Sequence, residues 1–241
     1  MSKKRKQSLA TISFLIVLAL PFPARGDSIK IKVNATYWML SQNDQDTGAT
    51  KCCFTFTDMV LSPLGADGLP LVNPKYVTNG DIKDVNSRGE ITWWSPNFNP
   101  NVSLLDTGTT TLPFESFEFP PSGNDLSGFL VAEFQGDFRL SSAAEITFTT
   151  ISDDDSLAYI DGKLVLANGG VKNLATVSGT VSLSAGEHSL TLFYADRDPT
   201  GAFLKVSDSI SETPEPATLS LLGIGLFGIA VTVRRASGGQ R

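Results

Sequence analysis

Between residues 27 and 210 the chain carries no sustained apolar period of 3.6. Short runs rich in β-branched and aromatic residues recur instead, each closed by a turn signal. The runs are Ile29–Val33, Phe54–Val60, Phe129–Phe134, Glu145–Ile151, Leu157–Ile160, Lys163–Ala167, Val177–Leu183, Ser189–Tyr194 and Ala202–Val206. Asp161-Gly162, Asn168-Gly169-Gly170, Ala185-Gly186 and Thr200-Gly201 lie between them and supply the positive φ that tight turns require. Many short strands must bury one face against another sheet, so the pattern predicts an all-β fold, an antiparallel β-sandwich.

Residues 62–128 break the pattern. Eight of the 13 prolines fall there, among Asn, Gly and Ser, around Trp93, Trp94 and Phe98. Aromatic residues in so long a loop either pin it to the sandwich or stack on sugar rings outside it. Pinning is the expected role, because a long loop on a compact domain needs anchors.

The two ends read as addresses. Lys3 to Lys6 form a basic head, Leu9 to Leu20 an apolar run, and Ala24-Arg25-Gly26 a small-residue cleavage site. Residues 1–26 are therefore expected to be a signal peptide cut by signal peptidase, with an uncleaved anchor as the alternative. Every Asp and Glu lies between Asp27 and Glu215, and residues 27–216 carry a net charge of −14. Such a surface repels nucleic acid, which is excluded as a partner, and suits cation binding. At the far end, Pro214-Glu215-Pro216 precedes an apolar stretch over 217–233 that is closed by Arg234 and Arg235. Seventeen residues sit at the lower bound for a transmembrane helix, with the Arg pair on the cytoplasmic side.

The tail PEPATLSLLGIGLFGIAVTVRRAS resembles the PEP-CTERM sorting signal of Gram-negative bacteria, placed here at 211–241. The resemblance implies processing by an exosortase near the Pro-Glu-Pro box. Transient anchoring in the inner membrane would precede delivery to the envelope surface or an exopolysaccharide matrix. A plain tail anchor is the alternative.

The segment with chemical content is Ser152-Asp153-Asp154-Asp155-Ser156. Three successive carboxylates are costly together unless solvated or neutralised. A turn that aims two of them at one point offers the oxygen ligands a hard cation such as Ca²⁺ takes. A solvated acidic turn is the plain alternative.

The flanking runs SDDDSLAYIDGKLVLANGGV and GTVSLSAGEHSLTLFYADRDPTGAFLKV resemble the fibro-slime domain, a relative of the protective-antigen-type sandwiches. LSPLGADGLPLVNPKY upstream looks like its amino-terminal part. The likeness is strongest over 129–207 within an expected domain at 27–210. In the sugar-binding relatives, including the GLEYA adhesins, two consecutive Asp joined by a cis peptide chelate Ca²⁺, which in turn holds sugar hydroxyls. The resemblance places these on Asp153 and Asp154. It places a second loop, completing the metal site and setting sugar choice, on Asp196-Arg197-Asp198-Pro199-Thr200. Asp198 replaces a His common in fibro-slime members and adds an oxygen donor. A ligand common at position 167 is lost, with Asn168 as its substitute. The implied metal ligands are Asp153, Asp154, Asp196, Asp198 and Asn168. Asp155, Arg197 and Thr200 are the implied ligand-binding residues, with Arg197 either bonding a sugar or offsetting the carboxylates.

The expected function is noncatalytic, Ca²⁺-dependent binding of extracellular polysaccharide or another glycan. A structural matrix protein is the alternative, and a glycosidase-type enzyme comes third. The single histidine, His188, lies in a predicted strand, where a structural hydrogen bond is the expected role. One His and two Cys exclude the usual zinc sites. Asp161 reads as a turn residue. Asp44 to Gly48, faintly like a Ca²⁺ loop but lacking its terminal acid, reads as a flexible acidic turn. Cys52 and Cys53 are expected to be buried or reduced, since a disulfide between neighbours is strained, with an intermolecular bridge as the alternative.

Overall fold

The computed structural model describes residues 28–48, 54–114, 128–199 and 201–212. The expected signal peptide, Cys52, Cys53, Thr200 and the tail from 213 onward, with its expected helix, lie outside the described residues. Among the described residues no helix is long and apolar enough to cross a membrane.

The chain forms β1 (Ile31–Leu40), α1 (Pro74–Thr78), β2 (Val102–Leu112), β3 (Phe129–Leu140), β4 (Ala144–Asp153), β5 (Asp155–Ile160), β6 (Lys163–Asn168), β7 (Ala175–Leu183), β8 (Gly186–Ala195) and β9 (Phe203–Glu212). The ladders joining these strands are antiparallel. Six strands run β2-β1-β3-β8-β5-β6 in one sheet, and β7-β4-β9 make the other. The sandwich read from the sequence is the fold.

β4 alternates buried and more open positions and β7 half-buried and exposed ones, as strands with one solvated face should. β5 is buried at every residue, because the six-stranded sheet is covered on both sides. One face packs Val33, Phe134, Leu192 and Tyr194 against Ile146, Phe148 and Leu204 of the small sheet. The other carries Leu157, Tyr159 and Phe193 under a layer built from the long loop, with Met59, Ile82, Ile91, Trp93 and Trp94. The tryptophans are the expected pins. Trp94 donates from Nε1 to the carbonyl of Tyr194 at 2.7 Å and tilts onto Phe193. Phe98 stays 47% exposed.

Two expectations are corrected. Phe54–Val60 is not a strand. It lies across the outer face of the large sheet, held by isolated bridges from Phe56 to Gly169 and from Val60 to Val72. Conversely, the proline-rich stretch contains β2, an edge strand whose residues are mostly exposed. Its Thr-rich sequence therefore lacks the apolar alternation of a half-buried strand.

The sheets meet closely where β7 passes β6. A Cβ on Gly179 would stand 2.0 Å from the carbonyl oxygen of Val165, a backbone atom that cannot swing aside. Gly179→Ala is expected to lower stability by about 2 kcal/mol, read from the urea midpoint. An unchanged midpoint would contradict this approach.

Candidate functional site

β4 ends at Asp153 and β5 begins at Asp155, so the chain crosses from the small sheet to the large one through Asp154. The Asp153–Asp154 peptide bond is cis. β8 ends beside this crossing, with Ala195 paired to Asp155, and its continuation, Asp196-Arg197-Asp198, turns back toward β9. The two loops that the sequence singles out thus meet.

Their contact is specific. Asp154 is fully buried, and its carboxylate accepts the backbone N–H of Lys172 at 2.7 Å and that of Arg197 at 2.8 Å. Each oxygen keeps lone-pair capacity beyond that one bond. Burial and the adjacent Asp155 carboxylate push Asp154 up to about 7. Asp155, also buried, takes the Arg197 guanidinium on both oxygens, 2.7 Å from Nε and 3.3 Å from Nη2, and accepts the Gly170 N–H. Arg197 is 2% exposed. Its guanidinium lies 4.3 Å from the Trp93 ring centroid and donates from Nη1 to the carbonyl of Asp46 at 3.2 Å. Burial works against its charge, but Asp155 more than compensates and holds its pKa up.

Asp153 and Asp198 are half-buried, whereas Asp196 is fully buried and accepts the Asp198 N–H at 3.3 Å. The Tyr194 hydroxyl donates to the Asp153 carbonyl and accepts the Phe203 N–H at 2.9 Å, closing the start of β9 onto the turn. Asn168 donates to Ser152 Oγ and to the Ala175 carbonyl, both at 3.0 Å, while its own Oδ1 is buried without a partner. Every candidate except Thr200, outside the described residues, is thus placed on these two loops or on the strand end beside them. Arg197 is paired with Asp155.

Lys172 and the Asp44–Gly48 turn were not singled out as site residues, yet both join the site. The turn is not a loose acidic loop. Asp46 is fully buried and its carboxylate accepts the N–H groups of Lys83 and Asp84, at 2.9 to 3.0 Å, and the Trp93 indole at 3.1 Å. Asp44 accepts from Asp46 N–H, Asn99 and Asn101. Gly48 N–H donates to the Arg197 carbonyl at 2.7 Å, tying the turn to the site. The Asp-x-Asp-x-Gly spacing was the available signal for this cap.

His188 bonds Asp161 through Nδ1 at 2.8 Å and the Ser184 carbonyl through Nε2 at 2.9 Å. Asp161 has φ 50° and lies at the far end of β5 from Asp155, as a turn residue should.

The donors at the Asp153–Asp155 crossing are all oxygen, and the buried Asn168 Oδ1 lacks a donor, so their chemistry suits a hard cation. No three His, Cys, Asp or Glu side chains among the described residues form a metal cluster by themselves. Carbonyl oxygens or water would have to complete the shell.

The PEP-CTERM protein-sorting motif matches residues 212–235, including Pro214, Glu215, Pro216, Arg234 and Arg235. The chain thus carries an export and surface-sorting signal. No curated protein matches the sequence. Among solved structures, the PA14 domain of the MpAFP antifreeze protein is 19% identical, over 36% of this chain and 46% of that one, with a TM-score of 0.30. The chain therefore spans less than half of that structure. The PA14 sugar-binding domain from an RTX adhesin is 14% identical, covering 76% of this chain and 90% of that one, with a TM-score of 0.37. The A domain of epithelial adhesin 9 from Candida glabrata is 14% identical, covering 81% and 89%, with a TM-score of 0.31.

Proposed function

We propose that this exported protein, sorted by an exosortase, works noncatalytically at the cell surface or in an exopolysaccharide matrix, binding glycan through Ca²⁺. The supporting observation is the meeting of two carboxylate loops. Asp154 is pinned by the backbone of the Asp196–Asp198 loop, and five carboxylates stand there against two cations, Arg197 and Lys172. Asp153 and Asp154 would hold the ion with Asp196, Asp198 and Asn168, and Ca²⁺ would supply positions for vicinal sugar hydroxyls. Asp155 and Arg197 would fix the turn from behind, and the sequence resemblance adds Thr200 as a ligand-binding residue. The fibro-slime and GLEYA resemblance of the sequence supports the same assignment.

Calorimetric titration of the protein with Ca²⁺ tests this. Binding in the range of extracellular modules, about 10⁻⁴ to 10⁻³ M, is expected. The Asp153→Asn/Asp154→Asn variant should weaken it at least tenfold, and a glycan array in Ca²⁺ and in chelator should differ. No heat with the wild type removes the Ca²⁺ reading. A second reading, a matrix protein whose ion only stiffens loops, is favoured by the burial of Asp154 and Asp196. Ca²⁺ binding with an array that is blank in both conditions would select it.

A further inference from the structure

Lys172 follows the Gly169–Gly170 pair in the segment between β6 and β7 and is only 6% exposed. Its ammonium donates to the carbonyl of Asp154, to that of Gly170 at 3.0 Å and to that of Asn168 at 3.3 Å. An ammonium has three donors and no acceptor, so three carbonyls match it completely. A cup of carbonyl oxygens is also the environment a hard metal ion takes. The residue grips Asp154 a second time, through its backbone N–H on Oδ1.

Charge supports the same conclusion. A buried ammonium is costly unless paired. With Arg197 on Asp155, the inner side of the crossing holds two carboxylates and two cations.

We infer that Lys172 is a resident cation: its ammonium closes the carbonyl cup of Asp154, Asn168 and Gly170 and does there the work of a structural metal. It is a positioning residue. The crossing keeps its shape without a divalent ion, whether or not its carboxylates take one. This goes beyond the Ca²⁺ reading and holds independently of it.

Three measurements test the inference. A chelator should leave the melting midpoint of the wild type unchanged, and a large fall would overturn the claim. Lys172→Ala should melt roughly 10 °C lower. Methylammonium should restore part of that loss, whereas tetramethylammonium, too bulky for the cup, should not at the same ionic strength. Equal behaviour in the two salts would reduce Lys172 to a packing stem. Should the variant not fold, nitrogen NMR of the wild-type side chain decides. A charged, slowly exchanging Nζ is expected, and a neutral or freely exchanging amine overturns the proposal. Absence of Ca²⁺ binding would defeat the glycan reading and leave all three readouts intact.

Discussion

Arg197→Met is expected to destabilise the protein by about 3–5 kcal/mol, the usual consequence of removing one partner from a buried ion pair. Asp155 would lose its counter-charge while still lying beside Asp154, in a place that water does not reach. The bond to the Asp46 carbonyl and the stacking on Trp93 would go as well. In a domain of this size the melting midpoint should fall by roughly 10 °C. Arg197→Met/Asp155→Leu should recover much of the loss, because it removes the stranded charge together with its partner. Urea unfolding of the two single variants and the double variant measures this coupling. A single-variant loss below about 1 kcal/mol would show the pair to be solvated.

Asp84→Asn is expected to stabilise the protein at alkaline pH. Asp84 Oδ1 accepts from Gln45, while Oδ2 is buried without a donor beside Asp44. Burial, then the hydrogen bond to Asp44, and the charges of Asp46 and Asp44 push Asp84 up to about 8. Burial raises Asp44 too, but the bonds from Asp84, Asp46, Asn99 and Asn101 prevail and hold it down. The pair therefore carries one proton on Asp84. The folded state binds it more tightly than the unfolded chain, whose carboxyl titrates near 4. The resulting stability is complete below about pH 4, declines as pH rises toward 8, and is gone above it. An amide at position 84 can keep both contacts with no proton to lose. At pH 8.5 the variant should be more stable by on the order of a few kcal/mol, and its midpoint should vary less between pH 4 and 8. Asp154, also raised, contributes a slope in the same window, so the difference between variant and wild type is the quantity to read. Parallel pH profiles would remove the shared proton.

Much of the sandwich was legible because β4 and β7 obey the alternation that one solvated face imposes, and Gly169-Gly170 and Gly186 mark the two sides of β7. β2 was hidden by its exposure on the sheet edge. Phe54–Val60 misled for the opposite reason: its aromatic residues serve the loop layer over the large sheet rather than a ladder. At the site, the neighbouring carboxylates of 153–155 pointed to the crossing, but besides the Arg197 guanidinium on Asp155, what holds Asp154 and Asp155 is main-chain N–H groups of Lys172, Arg197 and Gly170. Composition does not reveal which main-chain groups a fold will aim at a side chain. The same holds for Asp46, whose donors come from 37 and 38 residues away along the chain.

β9 pairs with β4 from Phe203 opposite Asp153 to Glu212 opposite Ala144. The carboxylate crossing stands at one end of this ladder, and the chain leaves for its sorting motif at the other, about 30 Å away along the strand. A pull between those two points acts lengthwise on paired strands. The cross-strand bonds share such a load side by side, as rivets in a lap joint do, whereas a pull across the strands would open them one after another. The β4–β9 ladder thus resists a pull along the line joining the candidate site to the end of β9 better than a pull across it.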